Sequence, residues 1–148
     1  MQAVLAPLQF LAFAVSLALV LRCLGTGQGA HAATVSILVK TALLYAIMVT
    51  GCLWERDVFG RYLFARAFFW EDVLSLVVLA LHTTYLVTLG VRAVGLRAQL
   101  CLALAAYAAY VINATQFLLK LRAARRQGAA LEAAAQARGD PLLLVAGR

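Results

Sequence analysis

Four long stretches in which nearly every position is apolar dominate the chain: roughly Ala3 to Leu21, Val35 to Trp54, Trp70 to Leu89 and Gln99 to Leu119. Each is close to the ~20 residues that a helix needs to cross a hydrocarbon core of ~30 Å. The pattern predicts an all-α integral membrane protein with four transmembrane helices in one compact bundle over residues 1–126, followed by a weakly ordered Ala-rich tail over residues 127–148. Composition agrees: 65% of the 148 residues are hydrophobic and 13% are charged, whereas a soluble domain is about half apolar.

The first stretch resembles a secretory signal in one respect, the small-x-small pattern Ala30-His31-Ala32. Its apolar core is too long and the start "MQAVLAPLQF" lacks a positive n-region, so a retained helix is expected. Pro7 falls in its first turns, where a missing N–H costs little. Arg56, Arg61 and Arg66 lie between the second and third stretches and Lys120, Arg122, Arg125 and Arg126 follow the fourth, against Arg22, Arg92 and Arg97 on the opposite side. Short loops rich in Lys and Arg stay cytoplasmic, so both termini are expected in the cytoplasm. The net charge of +7 follows from that bias and from attraction to anionic lipid headgroups, and needs no nucleic acid to explain it. Cys23, Cys52 and Cys101 have neither C-x-x-C nor zinc-ligand spacing and read as small buried apolar residues.

The first connection, "RCLGTGQGAHAAT", is Gly-rich, with Thr34 a candidate N-cap for the second helix. The second, "ERDVFGRYLFARAFF", mixes arginines with aromatic rings between Trp54 and Trp70 and reads as an interfacial belt. Beyond Lys120, helix is expected to about Arg126.

Polar groups interrupt the apolar stretches at defined places. At ~100° per residue the third helix puts Glu71, Ser75, Val78 and His82 in one stripe, with Tyr85 beside it and Asp72 turned away by about 100°. The fourth carries Tyr107, Tyr110, Asn113 and Gln116 among alanines, and the second carries Lys40. A rise of ~1.5 Å per residue places Glu71, Asp72 and Gln116 shallow and Asn113 deeper, with Lys40, His82, Tyr107 and Tyr110 sharing a level roughly 15 to 21 Å in. Each has a plainer reading: first-turn acids complement the helix dipole, Lys40 can snorkel, and His82, Asn113 and Gln116 can join helices. Ionisable groups inside spans are nonetheless costly and mark sites, which favours a functional stripe.

The runs "FFWEDV", "ALHT" and "AAYVINATQFLLKLR", within a similarity covering about residues 4 to 126, resemble the 2-vinyl bacteriochlorophyllide hydratase family of bacteriochlorophyll biosynthesis. The chain departs from the family pattern in starting almost at its first helix and in its Ala-rich tail, so the resemblance assigns the tail no role. It implies a hydro-lyase of the bacterial inner (cytoplasmic or intracytoplasmic) membrane that hydrates the vinyl group of a magnesium tetrapyrrole, giving a 1-hydroxyethyl group. Its partners would be that substrate, lipid and other enzymes of the same pathway. No cofactor of its own is implied, because hydration moves no electrons and the magnesium belongs to the substrate.

Chemistry must then choose among the candidates. Protonation of the terminal vinyl carbon leaves a cation that the macrocycle spreads, and water adds to it. Burial disfavours an ionised carboxyl, so an acid at the edge of hydrocarbon can hold a proton until it is needed. Glu71 suits the donor; Asp72 or His82 suits the base that takes a proton from water, and His82 has a rival role as axial ligand to the substrate's magnesium. Phe68, Phe69 and Trp70 can cover the ring and Arg61 or Arg66 can pair with its propionate. Ser75, Lys40, Tyr110, Asn113 and Gln116 would complete the binding surface. Two other classes fit parts of the pattern. A tetrapyrrole carrier would keep His82 and the aromatics but need no acid, and a small proton-coupled transporter would place its carboxylate at mid-depth.

Overall fold

The computed structural model describes residues 2–64, 66 and 68–138; side chains 2, 3 and 135–138 are outside the description. Four helices follow one another: α1 (Gln2–Thr26), α2 (Ala30–Phe59), α3 (Phe69–Gly90) and α4 (Leu96–Arg138), with no strand among the described residues. All four are long and apolar enough to cross a membrane, as expected.

Local sequence sets where they stop. Between α1 and α2 only three residues intervene, and Gly27 and Gly29 take left-handed φ values of 71° and 81°, which side chains with a Cβ resist. The Thr26 hydroxyl donates to the Arg22 carbonyl at 2.8 Å and closes the last turn of α1. α2 therefore starts at Ala30 with Gly29 as its cap, and Thr34, expected at the N-cap, lies inside the helix. At the far end of α2, left-handed Gly60 donates its N–H to the Arg56 carbonyl at 2.9 Å. α4 was expected to end near Arg126 but continues to Arg138. Apart from Gly128, that extension consists of Ala, Leu, Glu, Gln and Arg, residues that lose least on entering a helix. Residues 139–148 of the expected tail lie outside the described residues.

Residues 1–113 form one unit and residues 114–148 another. In the first, each helix buries a stripe at helical spacing. α1 buries Gln9, Phe13, Ser16, Val20 and Cys23; α2 buries Ala33, Ile37, Lys40, Thr41 and Leu44; α3 buries Asp72, Val78, His82 and Tyr85; α4 buries Gln99, Leu100, Ala103, Ala106 and Tyr107. Small residues on the α4 stripe allow close approach. The first two helices are joined by Ser16 Oγ and Ser36 Oγ at 2.8 Å, and α2 and α3 by the Tyr45 and Thr83 hydroxyls at 2.6 Å. The three cysteines are free. Cys23 is buried as expected, but Cys52 is half-buried and Cys101 exposed, because both sit off the buried stripes of their helices. In the second unit α4 is a mostly exposed helix up to Ala134.

Candidate functional site

Polar residues of the first unit gather in three layers. The first lies where α2 ends and α3 begins. Trp54, Phe59 and Phe68 pack edge to face, with ring centroids 5.8 to 6.0 Å apart. Phe69 bridges Phe64 and Trp70 at 5.6 Å each. The Trp70 ring is 70% exposed, so the cluster presents an open aromatic face. Beside it Glu55 and Asp72 are each 6% exposed, and Glu71 is half-buried. Glu55 lies in the last turns of α2 and Asp72 in the first turn of α3, which puts the two buried carboxylates at one end of the α2–α3 pair. Asp72 Oδ2 accepts the Phe64 N–H at 2.7 Å. Phe64 has a φ of 62°, a left-handed value that a phenylalanine rarely adopts, and the carboxylate secures the chain at that point.

One turn further along α3, the Asn113 amide donates to Ser75 Oγ at 2.9 Å. The third layer lies beyond. Lys40 Nζ is 3.1 Å from His82 Nε2, and His82 Nδ1 is 2.8 Å from the Val78 carbonyl. A carbonyl can only accept, so Nδ1 carries the proton and Nε2 accepts from the lysine. Lys40 is fully buried, with its Nζ 4.3 Å from the Tyr110 ring centroid, 4.9 Å from that of Tyr107 and 5.9 Å from that of Phe13. These aromatic faces attract a cation that has lost its water. The Tyr107 hydroxyl is hydrogen-bonded to Ser16. On the outer side of Phe13 and Tyr107 an apolar cleft of about 230 Å³ runs between α1 and α4, lined also by Leu17, Leu104, Ala108 and Val111.

A family model described as 2-vinyl bacteriochlorophyllide hydratase matches residues 1–123. The chain belongs to the 2-vinyl bacteriochlorophyllide hydratase family. The protein of that name from Rhodobacter capsulatus is 64% identical over 132 residues, covering 89% of this chain and 77% of that protein. Its counterpart from Cereibacter sphaeroides is 66% identical over 125 residues, covering 84% of this chain and 77% of that protein. No solved structure matches.

In this member of the 2-vinyl bacteriochlorophyllide hydratase family, the first layer brings together Glu71, Asp72, Phe68, Phe69 and Trp70, with Arg61 and Arg66 exposed on the same connection. His82 is not with them. Ten residues separate it from Asp72, about 15 Å along the helix. Both its ring nitrogens are engaged and it is 1% exposed. Lys40 and Tyr110 go with His82, as their shared level in the sequence predicts, and Lys40 does not snorkel. Ser75 and Asn113 form the middle layer. Gln116 lies in the second unit. Helical spacing puts Glu71 on the inward stripe, whereas Asp72 is the more buried acid: the chain at Phe64 bonds to it from outside the helix, and a loop's path is not contained in helical periodicity.

Sequence reasoning missed Glu55, Gln9 and Ser16. Glu55 continues the buried spacing of α2 through Ala33, Ile37, Lys40 and Leu44, a signal hidden by its place in an arginine-rich connection. Gln9 and Ser16 fall at helical spacing with Phe13 and Val20, and their period was the available clue.

Proposed function

We propose that this chain adds water across the vinyl group of a bacteriochlorophyllide, giving a 1-hydroxyethyl side chain, and that it does so in the bacterial inner membrane with both termini in the cytoplasm. Family membership over residues 1–123 carries the reaction. Four apolar helices and the arginine-rich α2–α3 connection support the location.

The site is the α2–α3 end. A flat macrocycle lies on the open face of Phe68, Phe69 and Trp70, where its apolar area leaves water while its edge stays at the interface. Arg61 and Arg66 pair with the propionate, which suits a forked guanidinium. The Glu71 carboxylic acid protonates the terminal vinyl carbon, and the positive charge moves to the carbon attached to the macrocycle, which disperses it. Water adds there, and its surplus proton passes to Asp72, whose Oδ2 already holds the Phe64 N–H and whose Oδ1 takes the proton. One water is consumed, and proton exchange with solvent resets the two carboxyls. His82 on α3 and Lys40 on α2 stand too far from that end of the helix pair to touch the same vinyl group and serve as a clamp across α2 and α3; no magnesium ligation by His82 is needed. The protein supplies no metal or redox group of its own.

The test is to incubate membranes carrying the protein with the vinyl pigment and follow the gain of one water by mass spectrometry. Turnover by the unaltered chain and none by Glu71→Gln, with pigment still bound, is the expected result. Bound pigment with no change in mass in either would replace the hydratase with a carrier.

A further inference from the structure

The middle layer contains polar atoms that the clamp and the carboxylates leave unused. Gln9 on α1 is 2% exposed and Asn113 on α4 is 8% exposed. Both side-chain atoms of Gln9, Oε1 and Nε2, and Asn113 Oδ1 are buried without a hydrogen-bond partner among the described residues. A buried amide without a partner costs several kcal/mol in hydrocarbon-like surroundings, so three such atoms need something to bind.

Register puts them together. Ser16 bonds Tyr107 and Phe13 packs on Tyr110 at 5.1 Å, so α1 and α4 run antiparallel in the first unit and Gln9, one turn before Phe13, is level with Asn113. Asn113 in turn reaches Ser75 on α3, which is one turn from Asp72. The layer therefore lies directly on the inner side of the carboxylates. Its unused atoms are two acceptors and one donor. A single water matches that set, donating to Gln9 Oε1 and Asn113 Oδ1 and accepting from Gln9 Nε2. A tetrapyrrole edge, which is largely apolar carbon, does not.

We propose that Gln9 and Asn113 hold the water that adds to the vinyl group. The inference rests on the hydration reading above and adds the source of the nucleophile. A macrocycle lying over the interface shields the vinyl carbon from bulk water, so water stored inside the bundle reaches the cation from the inner side. Its oxygen forms the new C–O bond, the vinyl π bond having gone to the proton from Glu71, and the proton it sheds goes to Asp72 Oδ1. Attack from one side yields one epimer of the alcohol.

Gln9→Met separates this role from a structural one, because replacing an unpartnered buried amide by an apolar side chain of similar length should leave the fold intact or stabilise it; Asn113→Leu also removes the bond to Ser75 Oγ and is read on kcat and epimers rather than on stability. With purified protein in nanodiscs, the expected result in both variants is a kcat lowered by about tenfold or more, a KM changed by less than about twofold and product epimers shifted toward equal amounts, with a thermal midpoint equal or higher in Gln9→Met. Unchanged kcat and epimer ratio in both variants would overturn the proposal. So would a raised KM at unchanged kcat, which would make the amides pigment contacts. An unaltered chain that adds no water would instead overturn the hydration reading, and the water site with it.

Discussion

Removing the Asp72 carboxylate should release the chain at Phe64, whose ring packs on Phe69. The perturbation is local: Asp72 is 6% exposed and accepts the Phe64 N–H at 2.7 Å. A hydrogen bond to a charged group contributes about 1.5–3 kcal/mol net, and about 1.4 kcal/mol corresponds to a tenfold change in an equilibrium. Asp72→Ala should therefore raise the opening of the segment around Phe64 by about 10- to 100-fold. Asp72→Asn keeps an acceptor oxygen but not the charge and should lose about half of that free energy, a change of about 3- to 10-fold. The left-handed φ of 62° at Phe64 adds to the effect, since a non-glycine residue held there costs roughly 1–2 kcal/mol and relaxes once its anchor is gone.

Hydrogen exchange read by mass spectrometry on nanodisc-embedded protein measures the opening at the amide of Phe64 directly. Protection should fall in the order Asp72, Asn, Ala, while amides in the middle of α2 stay as they were. Equal protection at Phe64 in all three proteins would refute the assignment of Asp72 as the anchor. Loss of protection along the whole of α2 and α3 would show instead that the carboxylate holds the helix pair.

Other substitutions probe the deeper layers and the interface. Lys40→Met and His82→Leu should each lower the thermal midpoint, with a coupling of about 1–2 kcal/mol in a double-mutant cycle, and should leave pigment hydration within a few-fold of the unaltered rate; additive effects would dissolve the clamp. Phe13→Ala removes a ring that packs on Tyr107 at 5.5 Å and Tyr110 at 5.1 Å and should destabilise by about 3 kcal/mol, seen as a lower midpoint in thermal scans. Arg61→Gln with Arg66→Gln should raise KM at constant kcat for a pigment with a free propionate and leave an esterified pigment unaffected, because a neutral ester forms no ion pair.

How much of this was legible depended on where the information lies. The four apolar runs set the helices, since length against hydrocarbon thickness is a property of sequence alone. The shared depth of Lys40, His82, Tyr107 and Tyr110 followed from rise per residue, and the structure brings them into one layer. Helix limits were less legible: Thr34 was displaced by two left-handed glycines, and the run past Arg126 stays helical through side-chain propensity that an Ala-rich "tail" conceals. Which of two neighbouring acids is more buried could not be read from angles, because the Phe64 segment covers Asp72 from outside the helix. Gln9 was overlooked for the opposite reason: one polar residue among apolar neighbours looks incidental until its burial is known.

The most direct test of the site is hydration by Glu71→Gln beside Asp72→Asn and the unaltered chain, each with pigment occupancy measured in the same membranes. The expected result is full pigment occupancy and no gain of water in Glu71→Gln. Normal hydration by Glu71→Gln would contradict the account, because the proton for the vinyl group would then come from elsewhere.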